Sequence, residues 1–112
     1  MLPAWSPTLL ILAALGFAVV NAALEELLFR GLVQGALERL LGPGWAALLL
    51  QAALFGVAHW GGFPSGPLGV LMAGSWALLL GWARRRGGGL LTPTLAHVVA
   101  DLVIFASLAW AS

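Results

Sequence analysis

The chain has 112 residues, of which 62% are hydrophobic and only 8% charged, and its formal net charge is +1. Soluble domains carry about 25% charged residues, so the composition excludes an ordinary soluble protein. It indicates an integral membrane protein with a single domain over residues 1–112, and no nucleic-acid partner is expected. The absence of cysteine excludes a disulfide, a thiolate nucleophile and a cysteine metal site.

Four apolar segments are predicted, and the first runs from Thr8 to Leu41. Its first part, Thr8–Leu24, is apolar apart from Asn21. It lacks a preceding positive region, so we expect a retained span rather than a cleaved signal peptide. A crossing needs about 20 residues, which makes the whole segment too long for one simple span. The amphipathic part therefore either leaves the membrane after Glu26 or bends and continues inside a bundle.

The other three segments are separated by connections rich in glycine and proline. The second is Trp45–Trp60, the third runs roughly from Leu68 to Ala83, and the fourth is Leu90–Trp110. The third segment is predicted to stop at the block RRRGGG, and both it and the second are short for complete spans. Together the segments predict an all-α fold, a polytopic bundle of about four transmembrane helices.

The arginines predict how the bundle is oriented. Arg39 precedes the second segment, and Arg84–Arg86 follow the third. Because cytoplasmic loops of membrane proteins are enriched in Lys and Arg, we expect both connections to face the cytoplasm. The expected location is a plasma membrane of bacterial type.

Three of the four acids, Glu25, Glu26 and Asp101, lie in stretches that otherwise resemble a membrane-spanning helix, where an ionisable group costs about 2.5–3.5 kcal/mol to insert. Glu26 and Arg30 are four residues apart, share a helix face and are able to pair. Glu25 points about 100° away and is left without a local partner, free to exchange a proton. The alternative is an interfacial helix end with a solvated acid pair and an ordinary salt bridge.

Two further helices each carry a histidine in a four-residue spacing. Phe55 and His59 share a face, so the ring can hold the imidazole, although His59 is also compatible with an interfacial position at a helix end. His97 and Asp101 share a face near the middle of the fourth segment. A hydrogen bond between them that only locks helices together is the alternative there.

Packing of these helices can bring Glu25, His59, His97 and Asp101 to a common point, and such a set supports two chemistries. In one, Glu25 is a base that activates water while the histidines position it or stabilise an oxyanion. In the other, a divalent metal such as zinc is held by Glu25, His59 and His97. The first needs no cofactor and is the one we expect.

These motifs, EExxxR from Glu25, FxxxH from Phe55 and HxxxD from His97, resemble the CPBP family of CAAX proteases and bacteriocin-processing enzymes, also called the Abi domain. The similarity covers about residues 21–104. It implies an all-helical intramembrane endopeptidase whose eukaryotic branch trims prenylated CAAX proteins.

Residue by residue, the resemblance implies that Glu25 is the general base and that His59 helps to hold or activate the water. His97 and Asp101 would serve oxyanion stabilisation and site architecture, while Glu26, Arg30 and Phe55 would be supporting residues. Position 101 departs from the prenyl-protease branch, which typically has Asn. An ionised Asp101 cannot donate to an oxyanion, so it must be protonated, orient His97 or bind a metal.

The leading interpretation is therefore a membrane-embedded peptidase in contact with membrane lipid. It acts on a peptide or protein, and lipidated substrates are among the candidates. One alternative is a non-catalytic immunity or accessory protein of the same fold that binds a peptide. Another is a proton or ion relay, because intramembrane acids and histidines also mark transport paths. Family enzymes usually have extra helices, so the chain is a minimal core, a fragment or a protomer that forms a homo-oligomer.

Overall fold

The computed structural model describes residues 4–111, and these form a bundle of four helices without a strand. The helices are α1 (Pro7–Leu41), α2 (Trp45–Ala58), α3 (Gly66–Gly87) and α4 (Leu91–Ala111). Three of them, α1, α3 and α4, are long and apolar enough to cross a membrane, whereas α2 has only 14 residues. The predicted all-α bundle of about four helices is confirmed.

Helix α1 is one continuous helix of 35 residues, so the chain continues as helix past Glu26. Its start is fixed by Ser6, whose hydroxyl accepts a hydrogen bond from the Leu9 N–H, and by a proline in the first turn. Its end falls at Gly42, where φ is +84°. Between these points the helix is α-helical over Pro7–Glu25 and Gln34–Leu41.

The middle of α1, Glu26–Val33, is a π-helix. The backbone N–H of Gln34 donates to the carbonyl of Phe29, five residues earlier, instead of four. Such segments are rare and occur often at functional sites. This one begins between the two adjacent glutamates, and no sequence pattern predicted it.

Helix α3 is longer than the sequence predicted, and the boundary at Ala83 was wrong. The helix continues through Arg84–Arg86 to Gly87 and ends at Gly88, whose φ of +73° is left-handed. The reason is that arginine is a good helix former and is favourable at a helix C-terminus. The arginines therefore end the apolar stretch without ending the helix.

The helices pack in two overlapping pairs. Helices α2 and α3 make the most extensive contact, and a Cβ atom at Gly56 would lie only 2.7 Å from the Val70 carbonyl oxygen. The first half of α1 packs on α4, where the rings of Phe17 and Phe105 lie 6.2 Å apart. The second half of α1 packs on α2, so α1 joins the two pairs.

Ion pairs join α1 to α3 at one end of the bundle. Glu38 at the end of α1 accepts hydrogen bonds from Arg84 Nη1 at 2.5 Å and Arg85 Nε at 2.7 Å, both on α3. Arg85 Nη2 also donates to the Gly44 carbonyl at 2.8 Å. Arg84 and Arg85 thus lie at the end where α1 meets α2 and α3 meets α4.

The interior contains both apolar and polar side chains, and the outside is apolar. Buried side chains include six polar or charged groups, whereas many leucines and valines of all four helices are exposed. This arrangement suits lipid, which solvates apolar side chains and leaves polar groups to pair with one another. The buried polar groups are Glu26, Arg30, Gln34, Gln51, His97 and Asp101.

Candidate active site

The innermost part of the site is the ion pair of Glu26 and Arg30, both fully buried. Arg30 donates from Nε to Glu26 Oε1 at 2.6 Å and from Nη2 to Glu26 Oε2, so the pair is bidentate. Arg30 Nη1 donates to Gln51 Oε1 on α2 at 3.3 Å, and its guanidinium carbon lies 4.5 Å from the centre of the Phe55 ring. The pair predicted from spacing is present and links α1 to α2.

His97 on α4 is held by carboxylates from two helices. Its Nδ1 lies 2.7 Å from Glu26 Oε2, and its Nε2 lies 3.5 Å from Asp101 Oδ1, one turn further along α4. Because Glu26 is paired with Arg30 and accepts, the Nδ1 of His97 carries the hydrogen of that bond. Asp101 Oδ2 in turn accepts a hydrogen bond of 2.9 Å from Asn21 Nδ2 on α1.

His59 follows the last residue of α2 and is held by its own helix. Its Nδ1 lies 2.7 Å from the Phe55 carbonyl oxygen, and its ring stacks on the Phe55 ring with centres 4.3 Å apart. A carbonyl oxygen only accepts, so Nδ1 carries the hydrogen, and in the neutral ring Nε2 carries the lone pair. The four-residue spacing of Phe55 and His59 therefore sets both the orientation and the tautomer of the imidazole.

Glu25 lies close to both histidines. Its Oε2 lies 3.7 Å from His59 Nε2 and 3.8 Å from His97 Nε2. Both distances are too long for a direct hydrogen bond. The atom is buried and has no hydrogen-bond partner within residues 4–111. A buried oxygen left without a partner is costly, and such atoms are rare in native proteins.

These groups line a cavity of about 570 Å³. The cavity lies between the four helices and the connection that follows α2. Its walls are mostly apolar, and none of the arginines in the described part of the chain lines it. The apolar lining residues include Phe17, Phe63, Pro64, Met72, Trp76, Val103 and Ile104. Within it, Glu25 and His59 are partly exposed, whereas His97 and Asp101 are about 95% buried.

The structure thus brings together Glu25, His59, His97 and Asp101, with Glu26, Arg30 and Phe55 directly behind them. Two further residues take part that the sequence motifs did not identify. Asn21 donates a hydrogen bond to Asp101, and Gln51 accepts one from Arg30. A signal existed for both. Asn21 is four residues before Glu25, and Gln51 is four before Phe55, so each lies on the face that carries a motif residue.

The zinc alternative would use donor atoms from three side chains. Glu25 Oε2 and the two histidine Nε2 atoms are the donors that would hold the ion. Within the described part of the chain, no three His, Asp or Glu side chains are arranged to hold a metal ion. Metal dependence therefore stays a prediction to be tested by experiment.

The structure combines apolar helices long enough to cross a membrane with a cavity lined by two acids and two histidines, which defines the class of a helical membrane protein with a polar site. Residues 7–103 match the sequence profile described as type II CAAX prenyl endopeptidase Rce1-like. Since this covers most of the chain, the protein belongs to the Rce1-like family, which confirms the resemblance to CAAX proteases. No curated protein and no solved structure matches the chain significantly.

Membership of this family establishes the activity at a coarse level. The Rce1-like family is one of membrane endopeptidases of the CAAX type, which act on peptide or protein substrates. Together with three helices able to cross a membrane, it indicates an integral membrane peptidase. The base, the route of the proton and the metal requirement are finer questions.

Proposed function

We propose that the protein is an intramembrane endopeptidase in which Glu25 activates the water that attacks the peptide bond. The observation that carries the proposal is the position of Glu25 Oε2, buried, unpartnered and facing two imidazole Nε2 atoms at 3.7 and 3.8 Å. A water molecule bonded to the Glu25 carboxylate at about 2.8 Å would then lie within reach of an imidazole. Glu25 and His59 are the cluster members most accessible from the cavity.

Each proton and electron pair has a place in this reaction. Glu25 takes a proton from the water, whose oxygen bonds to the carbonyl carbon while the π pair moves onto the carbonyl oxygen. When the C=O bond reforms, the C–N bond breaks, and Glu25 returns the proton to the leaving nitrogen. The products are one carboxyl terminus and one amine, and no group outside the cluster is consumed.

The other residues hold this arrangement. His59 accepts the second hydrogen of the water at Nε2, since its Nδ1 hydrogen is used by the Phe55 carbonyl. Glu26, paired with Arg30, holds His97 through Nδ1. These contacts fix the orientation of the two imidazoles. Such positioning matters because a shift of about 1 Å in the reacting groups can lower the rate about 100-fold.

The test is cleavage of a quenched-fluorescence peptide by the purified protein in detergent. Two substrates are compared, one ending in a farnesylated CAAX sequence and one identical but unprenylated. We expect Glu25→Gln to lower kcat by about 10²–10⁴-fold and His59→Ala also to lower it. Glu38→Gln is the matched control, because it removes an acid from the same helix outside the cavity, and it should leave kcat unchanged.

Equal activity of the parent, Glu25→Gln and His59→Ala would refute the assignment. Treatment with a chelator separates the two chemistries. Activity that survives the chelator supports the water mechanism without a metal. Loss that zinc restores supports the alternative in which Glu25, His59 and His97 hold an ion.

A further inference from the structure

Hydrolysis requires a hydrogen-bond donor for the negative charge that develops on the carbonyl oxygen. The acids Glu25 and Asp101 line the cavity but only accept when ionised. His59 and His97 use their Nδ1 hydrogens on the Phe55 carbonyl and on Glu26. A hydrogen on His97 Nε2 would face Asp101 and Glu25, at 3.5 and 3.8 Å, and these would compete with a substrate oxygen for it.

The side chain of Asn21 provides an N–H donor that remains available to a substrate oxygen. Its Nδ2 donates one hydrogen to Asp101 Oδ2 at 2.9 Å. Since the carboxylate only accepts, this bond fixes which end of the carboxamide is nitrogen. The second hydrogen of Nδ2 makes no hydrogen bond within residues 4–111, and Asn21 lines the cavity.

The position of Asn21 relative to the base also fits. Asn21 and Glu25 are four residues apart in the α-helical part of α1 and share a face, separated by about 6 Å along the axis. An attacking water and a peptide carbonyl group fit between a base and a donor at that spacing, because each hydrogen bond takes up about 3 Å. The oxygen of a carbonyl attacked from Glu25 would then point towards Asn21.

We propose that Asn21 is a catalytic residue whose cavity-facing Nδ2–H donates to the substrate carbonyl oxygen as it becomes an oxyanion. Asp101 is the positioning residue that holds the carboxamide in place. This inference rests on the proposed hydrolysis and names a donor for it. It also gives the carboxylate at position 101 a role that requires no donated hydrogen.

The first test uses the parent protein, in which Asn21 is the sole asparagine. Side-chain ¹⁵N labelling of asparagine therefore gives a single NH₂ signal pair. The probe is a ketone analogue of the cleaved peptide, with a difluoromethylene ketone replacing the scissile amide, which binds as a tetrahedral hydrate. We expect one of the two Nδ2 protons to shift downfield when it binds, and an unchanged pair overturns the proposal.

The second test separates transition-state from ground-state binding. Asn21→Asp keeps the volume, and Asn21→Leu removes every donor. Each should lower kcat by about 100–1,000-fold, weaken the ketone analogue in proportion, and leave binding of the uncleaved amide to the Glu25→Gln background within about threefold. If amide binding weakens as much as ketone binding, Asn21 is structural and the proposal is wrong.

Two controls make the outcome specific. Gln34→Met removes a buried amide on the same helix that donates to the Gly81 carbonyl outside the cavity, and it should leave kcat within about twofold. Trp76 also lines the cavity with an indole N–H, so a loss of kcat in Trp76→Phe but not in the Asn21 variants assigns the donor there and overturns the proposal. An active Glu25→Gln would instead refute the hydrolysis scheme itself.

Discussion

At the scale of single residues, the site depends on a charge pair that has no access to water. Glu26 and Arg30 are completely buried, and Arg30 also donates to Gln51 and lies over the Phe55 ring. Removing one member of such a pair leaves an uncompensated charge, whereas removing both does not. The two glutamates of the motif therefore have different functions, since Glu26 is fixed and Glu25 faces the cavity.

This difference predicts a specific double-mutant result. Arg30→Met should destabilise the protein by about 3–5 kcal/mol because Glu26 is left buried without its partner. Glu26→Leu combined with Arg30→Met should recover most of that stability, since no charge remains. Its kcat should stay about 100-fold low, because His97 has lost the acceptor at Nδ1. Thermal unfolding in detergent and peptide cleavage measure the two effects.

The result that would contradict this view is a double variant as unstable as Arg30→Met alone. It would mean that the packing of the Arg30 side chain on Phe55, and not its charge, sustains the fold. A double variant with parental kcat would show that the orientation of His97 does not depend on Glu26.

The sequence predicted the contacts within single helices but not the contacts between helices, for a physical reason. Spacing of four residues reports contacts within one helix, so the pairs Glu26–Arg30, Phe55–His59 and His97–Asp101 could be predicted. Contacts between helices, such as Asn21 with Asp101 and Gln51 with Arg30, depend on the rotation and depth of each helix. The amino-acid sequence alone does not determine the rotation and depth of each helix.

At the scale of elements, the π-helical part of α1 positions the two acids. Glu25 ends the α-helical part and Glu26 begins the π-helix, and their carboxylates approach opposite nitrogens of one imidazole ring, that of His97. Hydrophobic periodicity did not predict this local change. Hydrophobic periodicity shows which face of a helix is apolar. A π-helical turn within an amphipathic stretch changes that pattern very little.

Close contact of α2 with α3 sets the position of His59, which follows the end of α2. A Cβ atom at Gly56 would lie 2.7 Å from the Val70 carbonyl oxygen and 3.2 Å from the backbone of Gly74. Gly56→Ala should therefore push the helices apart, cost about 1–3 kcal/mol and move His59 away from Glu25, with a loss of kcat.

The matched control for that variant is Gly16→Ala on α1. A Cβ at Gly16 meets no atom within 4 Å, so the substitution should leave stability unchanged or raise it by up to about 1 kcal/mol through helix propensity. If Gly56→Ala behaves like this control in thermal unfolding and peptide cleavage, helix contact does not position His59.

At the scale of the whole molecule, the charges are distributed along the axis of the bundle. Arg84 and Arg85 share Glu38 at one end, and Arg39 lies next to Arg84 there, since both approach the same point above Gly35. The opposite end, where α1 starts and α4 finishes, carries no charged side chain within the described residues. Orientation in the membrane should follow from this asymmetry.

The absence of cysteine from the sequence makes the orientation directly measurable. Gly89→Cys lies at the arginine end and Ala4→Cys beyond the start of α1, and a Cβ at Gly89 meets no atom within 4 Å. Since arginine-rich connections stay in the cytoplasm, a membrane-impermeant maleimide should label Gly89→Cys only in inverted vesicles and Ala4→Cys only in intact cells. Gly16→Cys, within the apolar part of α1, should react in neither, because its side chain faces lipid. The reverse pattern for the first two variants would show that the arginines face outward, and labelling of both from one side would show that α1 does not cross.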